Sequence, residues 1–334
     1  MSRTEVVEQT AAEVDTSASR HSLVVLGGVL AACLLGLLAV YTVGDRDSGL
    51  VTQAIATGVL LGGVYALVSV GLTLIFGVLG IVNFAQGSML ALAMYMVHSL
   101  VQSLGIPVYL AMVLAVPLMF ALGYLIQLSL LNKLTMSGSH EGPLLVTLGL
   151  SLFIVNVLLM IYSGRPQSVG SAVDGSLRVM GALLSWERVI AFLGAVAVTV
   201  ALTVILRRTS FGLSIRAVAS NPNGAMLVGV NVGRVYALTF AIGAACVAVA
   251  GGLMAPLVSL TPTVGEQFTI LAFVIVVLGG LGNVVGAMIG GILIGLVQTV
   301  GSLYLPGTGS LIAVFAVFVL TLFLRPQGIF GAAR

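Results

Sequence analysis

The chain has 334 residues, of which 59% are hydrophobic and only 7% are charged, and its mean hydropathy is +1.21. A soluble domain usually carries about 25% charged residues, so a soluble fold of this composition would expose far too much apolar surface. Intrinsic disorder is excluded as well, because disordered chains combine low hydrophobicity with high charge. The composition therefore indicates a polytopic membrane protein.

The N-terminal region combines a polar tail with an apolar run. Residues 1–22 are polar and mixed in charge, which predicts a disordered cytoplasmic tail. The apolar run 23–43 is longer than the roughly 7–15 residues of a signal-peptide core, and no small-residue cleavage site follows it. We therefore predict a retained first span and a membrane domain that covers 23–334.

Long uncharged stretches dominate the rest of the sequence. A helix needs about 20 apolar residues to cross the hydrocarbon core, and continuous rather than alternating runs favour helices over membrane strands. One run, 267–280, is too short to cross alone unless it is buried against protein. The sequence predicts an all-α transmembrane bundle of roughly eight to ten spans with broken or re-entrant helices. The candidate spans are 23–43, 52–79, 87–104, 108–130, 143–163, 189–206, 235–256, 267–280, 284–303 and 309–324.

Two of these stretches are interrupted by glycine-rich, polar breaks. Asn83 and Gln86 lie at the first break, and Asn283 lies at the second. Paired broken helices at corresponding places in two halves of a chain are typical of transporters, which bind substrate there. The alternative is that glycine-rich helices simply pack closely, and Gly286 and Gly290 have the spacing for it. We name Asn83, Gln86 and Asn283 as candidate substrate-pathway residues.

The sequence lacks the motifs of an enzyme and of a self-powered transporter. Lys133 has no glycines before it, so there is no P-loop for a nucleotide. The histidines at positions 21, 98 and 140 lack metal-site spacing, and no G-x-S-x-G elbow occurs. Glu266 begins a span, which favours a loop or interface position over an ion relay. We predict no catalytic residue, cofactor or metal. The protein is therefore either a transporter whose energy is supplied by another protein or a channel.

Basic residues are unevenly shared between the two sides of the predicted bundle. If the N-terminus is cytoplasmic and every span crosses, nine of the 13 Lys and Arg residues fall inside and four fall outside. The positive-inside rule then predicts a multi-pass protein of the plasma (inner) membrane with both termini in the cytoplasm. The net charge is only +3 and no basic cluster occurs, which excludes nucleic acid as a partner.

The longest interior polar stretch is 207–234, which carries four arginines and no acid. Asn221 can cap a helix that begins at Pro222 and stops at Gly229. Ala225 and Gly229 are four residues apart, so they are expected to share a small-residue face that seats in a groove of another protein. The alternative is a basic loop that anchors to anionic lipid.

Several segments together resemble the branched-chain amino-acid permeases of ABC importers, the LivH/LivM type. The resemblance covers about 50–334, and 207–234 resembles the cytoplasmic coupling loop of that family. Many members carry histidine where this chain has Gln86. The other matching segments are Gly63-Val64-Tyr65-Ala66-Leu67, Asn83-Phe84-Ala85-Gln86-Gly87, Leu148-Gly149-Leu150-Ser151, Val277-Leu278-Gly279-Gly280-Leu281-Gly282 and Arg325-Pro326-Gln327-Gly328-Ile329-Phe330-Gly331.

The resemblance implies that the predicted membrane domain, 23–334, acts as a permease and that ATP is hydrolysed elsewhere. It implies three kinds of protein partner, in addition to the lipid bilayer that the composition indicates: cytoplasmic ABC ATPase subunits, a second permease subunit that is homologous or identical, and an extracytoplasmic substrate-binding protein. The residues it implies for coupling to the ATPase are Arg216, Ala217, Asn221, Ala225 and Gly229.

Two functional hypotheses follow. The first is a permease subunit of an ABC importer for branched-chain, hydrophobic amino acids. The second is a channel or permease for urea or another small neutral amide, which uncharged glycine-rich spans with asparagine at their breaks also suit. A membrane-embedded enzyme is weaker, because no acid–base pair lies within a span.

Overall fold

The computed structural model describes residues 48–136, 141–171, 173, 175–179, 182–305 and 307–331. The predicted tail 1–22 and the predicted first span 23–43 lie outside the described residues. Within them, residues Gln127–Leu131 form a π-helical turn between two α-helices. The helices are α1 (Ser48–Leu79), α2 (Gln86–Leu104), α3 (Val108–Ile126), α4 (Asn132–Met136), α5 (Glu141–Tyr162), α6 (Trp186–Arg208), α7 (Ser210–Ser220), α8 (Pro222–Leu227), α9 (Val232–Met254), α10 (Val264–Gly279), α11 (Val284–Tyr304) and α12 (Gly309–Leu324).

The helices confirm the predicted polytopic bundle. Seven helical segments of the described residues are long and apolar enough to cross a membrane, with α3 and α4 forming one of them. Helices α10 and α12 are also apolar but have only 16 residues each. Every predicted run from 52–79 onward coincides with a helix, including the short run 267–280, which α10 covers.

The all-α prediction misses one element, an antiparallel hairpin formed by β1 (Ser176–Val179) and β2 (Ala182–Ser185). In β2, Ala182 and Leu184 are buried beside α1, while Leu183 between them is exposed. Gln53 of α1 fastens the strand, because its Nε2 donates to Leu183 O and its Oε1 accepts from Leu183 N, each at 2.6 Å. Four residues per strand are too short an alternation to stand out in an apolar sequence.

Helices α1 and α11 cross at the centre of the bundle through matched glycines. Gly58 and Gly62 of α1 face Gly291 and Gly295 of α11. A Cβ on Gly62 would lie only 2.6 Å from Ile292 Cα, so a larger residue requires the two backbones to separate. Small residues at helix crossings allow this close approach in membranes. Close glycine packing therefore exists in this protein alongside the broken helices, not instead of them.

The first break returns the chain to the middle of α1. Residues 80–85 follow Leu79 without helical structure. Gln86 Nε2 then donates to Val68 O at 3.1 Å, and Val68 lies near the middle of the 32-residue α1. Helix α2 therefore begins about halfway along α1, and the predicted re-entrant break is confirmed.

Helix α10 begins at the same level as α2. Gly265 packs directly against Gly87, and the rings of Phe268 and Tyr65 lie 5.9 Å apart. From this meeting point α2 and α10 run towards opposite ends of the bundle. A helix N-terminus carries a partial positive charge. Two such positive ends therefore lie together beside the middle of α1.

The second break, 280–283, is a tight turn at the far end of α10, where two glycines have positive φ. Asn283 caps the next helix, because its Oδ1 accepts a hydrogen bond from Gly286 N at 3.0 Å. The C-terminal segment packs on the turn, with Ile329 N donating to Leu278 O at 2.8 Å. This break is confirmed as well, but it only reverses the chain.

One end of the bundle collects most of the described basic residues. The end of α1 meets the 280–283 turn there, since a Cβ on Gly77 would lie 2.9 Å from Gly282 Cα. The hairpin lies at the opposite end, beside the start of α1. We call the first the basic end, and its basic residues are Lys133, Arg207, Arg208, Arg216, Arg234 and Arg325.

Candidate functional site

The polar segment 207–234 folds into two short capped helices at the basic end. Thr209 Oγ1 accepts from Gly212 N at 3.0 Å and caps α7. Asn221 Oδ1 accepts from Gly224 N at 2.9 Å and caps α8, whose first residue is Pro222. The predicted helix start is confirmed, because side-chain capping and a proline in the first turn are local signals.

The end of α8 differs from the prediction. Gly229 has φ +85°, its N–H donates to Met226 O, and Val230 N donates to Ala225 O, each at 3.0 Å. This pair of bonds is a Schellman turn, which places Gly229 beyond the helix. Ala225 is buried, so the expected small-residue face of Ala225 and Gly229 is wrong.

The exposed side of α8 is apolar and bulky. Leu227 is 90% exposed and Val228 is 78% exposed, with Met226 partly exposed beside them. We call these three residues the apolar knob. Since Ala225 anchors α8 to the bundle from the other side, the knob projects away from the protein.

Four exposed arginines belong to the same segment, 207–234, as the apolar knob, and one of them, Arg234, borders a cavity together with Met226. Arg216 Nη1 donates to Leu206 O in the last turn of α6, so this side chain ties α7 to α6. A cation at the C-terminal end of a helix is also favoured by the helix dipole. Ala217, next to it, is half-buried. The exposed arginines are Arg207, Arg208, Arg216 and Arg234.

Asn83 and Gln86 form a buried network inside the first break. Asn83 Oδ1 accepts from Ala85 N, and Asn83 Nδ2 donates to Gln86 Oε1, both at 3.1 Å. Gln86 Nε2 donates to Val68 O, and both side chains are fully buried. The two amides therefore fix the path of the break and the starting point of α2.

Asn283 holds the second break together. Besides capping α11, its Nδ2 donates to Phe330 O of the C-terminal segment at 3.1 Å. The side chain is half-buried and borders a cavity of about 390 Å³ at the basic end. Arg207 and Arg216 line the same cavity, so the second break lies next to the segment that carries the apolar knob.

A second cavity, of about 330 Å³, lies on the hairpin side of the level where α2 and α10 meet. Its polar lining includes Arg188, Gln267 and Gln298, which come from three different helices. Sequence reasoning missed these residues, because each one stands alone at or near the end of an apolar run. We call this space the hairpin-side cavity.

The comparisons with known proteins identify the family. A model of the permease component of branched-chain amino acid transport systems matches residues 54–324. The chain belongs to this permease family. No solved structure matches it.

Relatives in bacteria and an archaeon support the assignment. The chain is 31% identical over 293 residues to the high-affinity branched-chain amino acid permease protein LivH of Escherichia coli, covering 84% of this chain and 95% of LivH. It is 30% identical over 298 residues to BraD of Pseudomonas aeruginosa, with the same shares. It is 28% identical to the probable LivH of Methanocaldococcus jannaschii, over 82% of this chain and 90% of that protein. These matches confirm the resemblance and give no support to the urea or amide alternative.

Proposed function

We propose that this chain is the membrane-spanning permease subunit of an ABC importer and carries branched-chain amino acids across the plasma membrane. The family match over 54–324 carries the proposal. The relatives whose length this chain almost covers are named for that transport. ATP is hydrolysed by separate subunits, in keeping with the missing P-loop.

The ATPase subunits dock on the apolar knob. Solvent-facing apolar side chains of this size mark binding surfaces, and such side chains anchor interfaces by filling pockets in a partner. The exposed arginines of 207–234 complement an acidic rim on the ATPase and guide its approach. Within this surface Ala225 anchors α8, while Arg216, Ala217, Asn221 and Gly229 set its position and shape.

The basic end faces the cytoplasm, in accordance with the positive-inside rule. Both termini, including the tail 1–22, then lie on the cytoplasmic side. The hairpin end faces outwards and receives the extracytoplasmic substrate-binding protein. This orientation puts the apolar knob on the side where ATP is available.

The face that carries Glu266 and Gln267 borders the substrate pathway. Both residues are exposed in the first turn of α10, level with the middle of α1. A carboxylate that faces hydrocarbon there costs about 2.5 kcal/mol or more, so this face meets protein or water. We assign it to the contact with the second permease subunit. Asn83 and Gln86 shape the pathway from behind this face.

The experiment is uptake of radiolabelled L-leucine into liposomes that contain this chain with its companion permease and ATPase subunits. We expect uptake that needs internal ATP and the external binding protein. Labelled urea serves as the control solute and is expected to stay outside. Leucine uptake that continues without ATP, or rapid urea entry through the chain alone, would count against the proposal.

A further inference from the structure

The hairpin-side cavity has the size and the mixed lining of a small-molecule site. Its volume of about 330 Å³ lies at the lower end of the roughly 300–1,000 Å³ typical of ligand pockets. It opens between the middle of α1, the start of α10 and the adjoining ends of α6, α11 and α12. Gln267, one of its lining residues, is next to Glu266 on the face assigned to the pathway.

Arg188 supplies a cation to this cavity. It lies in the first turn of α6 and is half-buried. Its Nη1 donates one long hydrogen bond, 3.4 Å, to Thr57 Oγ1 on α1. Arg188 forms no salt bridge with any carboxylate of the described residues. A guanidinium has five N–H donors in a planar fork that matches a carboxylate, so most of its capacity is available to a ligand.

Gln298 supplies a hydrogen-bond acceptor to the same cavity. It lines the same cavity from α11, and its Oε1 is buried without a hydrogen-bond partner among the described residues. An orphaned buried acceptor is destabilising unless a ligand or water satisfies it. An ammonium group is a pure donor and fits this position. Gln267 adds a second amide at the edge of the cavity.

The remaining wall is apolar. Met254 at the end of α9, Leu257 in the turn that follows, and Phe268 and Leu271 on α10 contribute to it. A wall of this kind stabilises an aliphatic side chain by removing it from water. The cavity therefore combines a donor for an anion, an acceptor for a cation and an apolar wall within one small volume.

We propose that the hairpin-side cavity is a binding site for a zwitterionic α-amino acid with an aliphatic side chain. Arg188 binds the carboxylate, Gln298 accepts from the ammonium group, and the apolar wall holds the side chain. This inference rests on the proposed function and adds the site within the membrane subunit at which the substrate pauses after its release from the binding protein.

The test uses the complete transporter in nanodiscs without the binding protein, so that only the membrane subunits recognise the ligand. A bound ligand raises the unfolding temperature. We expect saturating L-leucine to raise it, whereas L-leucinamide, which has no carboxylate, has little effect. Arg188→Gln removes the leucine effect, and Arg188→Lys retains part of it. Gln298→Leu weakens the response, but leucine remains preferred over leucinamide.

Arg178→Gln is the matched control, because Arg178 is exposed on β1 and does not line the cavity. It is expected to respond to leucine as the wild type does. In liposomes with the binding protein, Arg188→Gln lowers leucine uptake about tenfold or more, since a charge-assisted bidentate pair is lost.

The possible outcomes distinguish a failure of the proposed amino-acid site from a failure of the proposed transport function. Wild-type transporter that imports no leucine would overturn the proposed function itself. Wild-type transporter that imports leucine, but shows no leucine-dependent stabilisation or the same stabilisation after Arg188→Gln, would overturn this site alone. Equal stabilisation by leucine and leucinamide would overturn the assignment of the carboxylate to Arg188.

Discussion

The two helix breaks use the same residue type in different surroundings. Asn83 is fully buried at the first break, where α2 starts beside the middle of α1 and meets the start of α10. Asn283 is half-buried at the second break, next to the arginines of the basic end. Both asparagines organise the backbone, but only the first does so out of reach of water.

This difference separates two tasks in the molecule. The first break places the N-terminus of α2 at mid-level against that of α10, near the cavity assigned to the substrate. The second break joins α10 to α11 beside the segment that is proposed to receive the ATPase. Residues of α7 and of the 280–283 turn line the same cavity at the basic end, which brings α7 near the end of α10. The end of α10 near the hairpin-side cavity and the end at the 280–283 turn are the two ends of one 16-residue helix.

The strongest test of the first break is Gly87→Ala. A Cβ at Gly87 collides with Gly265 O and Thr269 Oγ1, and the backbone oxygen cannot move without displacing α10. We expect a loss of about 3 kcal/mol or more, or failure to accumulate folded protein. Thermal unfolding of the purified chain measures the effect. Gly149→Ala is the control, because no atom lies within 4 Å of a Cβ there. Equal stability of the two variants would refute the close contact.

Asn83→Leu should have the next largest effect. It leaves Ala85 N–H and the Gln86 amide without their partner in a buried site. We expect a loss of roughly 2–3 kcal/mol, because unsatisfied buried polar groups bear their full desolvation cost. Asn156→Leu is the matched control, since Asn156 is exposed and bonds only within its own helix. A neutral Asn83→Leu variant would show that the network does not hold the break.

Asn283→Ala should cost less, about 1 kcal/mol, because water reaches the half-buried helix end and partly replaces the cap. Its clearer signature is faster hydrogen exchange at Ile329, as the bond to Phe330 O is lost. Asn283→Asp separates the two roles, since the carboxylate keeps the cap to Gly286 but cannot donate to Phe330 O. Unchanged exchange in both variants would mean that Asn283 does not hold the C-terminal segment.

Sequence reasoning succeeds here where the signal is local. The runs from 52–79 onward, the two breaks and the Asn221–Pro222 helix start depend on neighbouring residues, and these are found in the structure. It fails where tertiary packing decides. Ala225 was expected on an open face but is buried, because the bundle supplies an apolar surface that the local pattern does not reveal. Arg188 and Gln298 come together only in three dimensions, so no spacing predicts the cavity that they share.

Leu227→Asp is expected to change the stability of the chain least and its ATP-driven transport most. Leu227→Asp replaces a side chain that is 90% exposed, so the unfolding free energy of the chain should change by no more than about 0.5 kcal/mol. In the proposed account, however, Leu227 is the centre of the ATPase contact. Asn223→Asp adds the same charge to an exposed position of α8 outside the apolar knob and serves as the control.

Whether the ATPase docks on the apolar knob is measured by co-purification of the ATPase subunits with the Leu227→Asp permease, together with ATP-driven leucine uptake. We expect Leu227→Asp to lose both the ATPase and uptake while the two permease subunits remain associated, and Asn223→Asp to keep all three. ATPase retention with normal uptake in Leu227→Asp would contradict the claim that energy enters through the apolar knob.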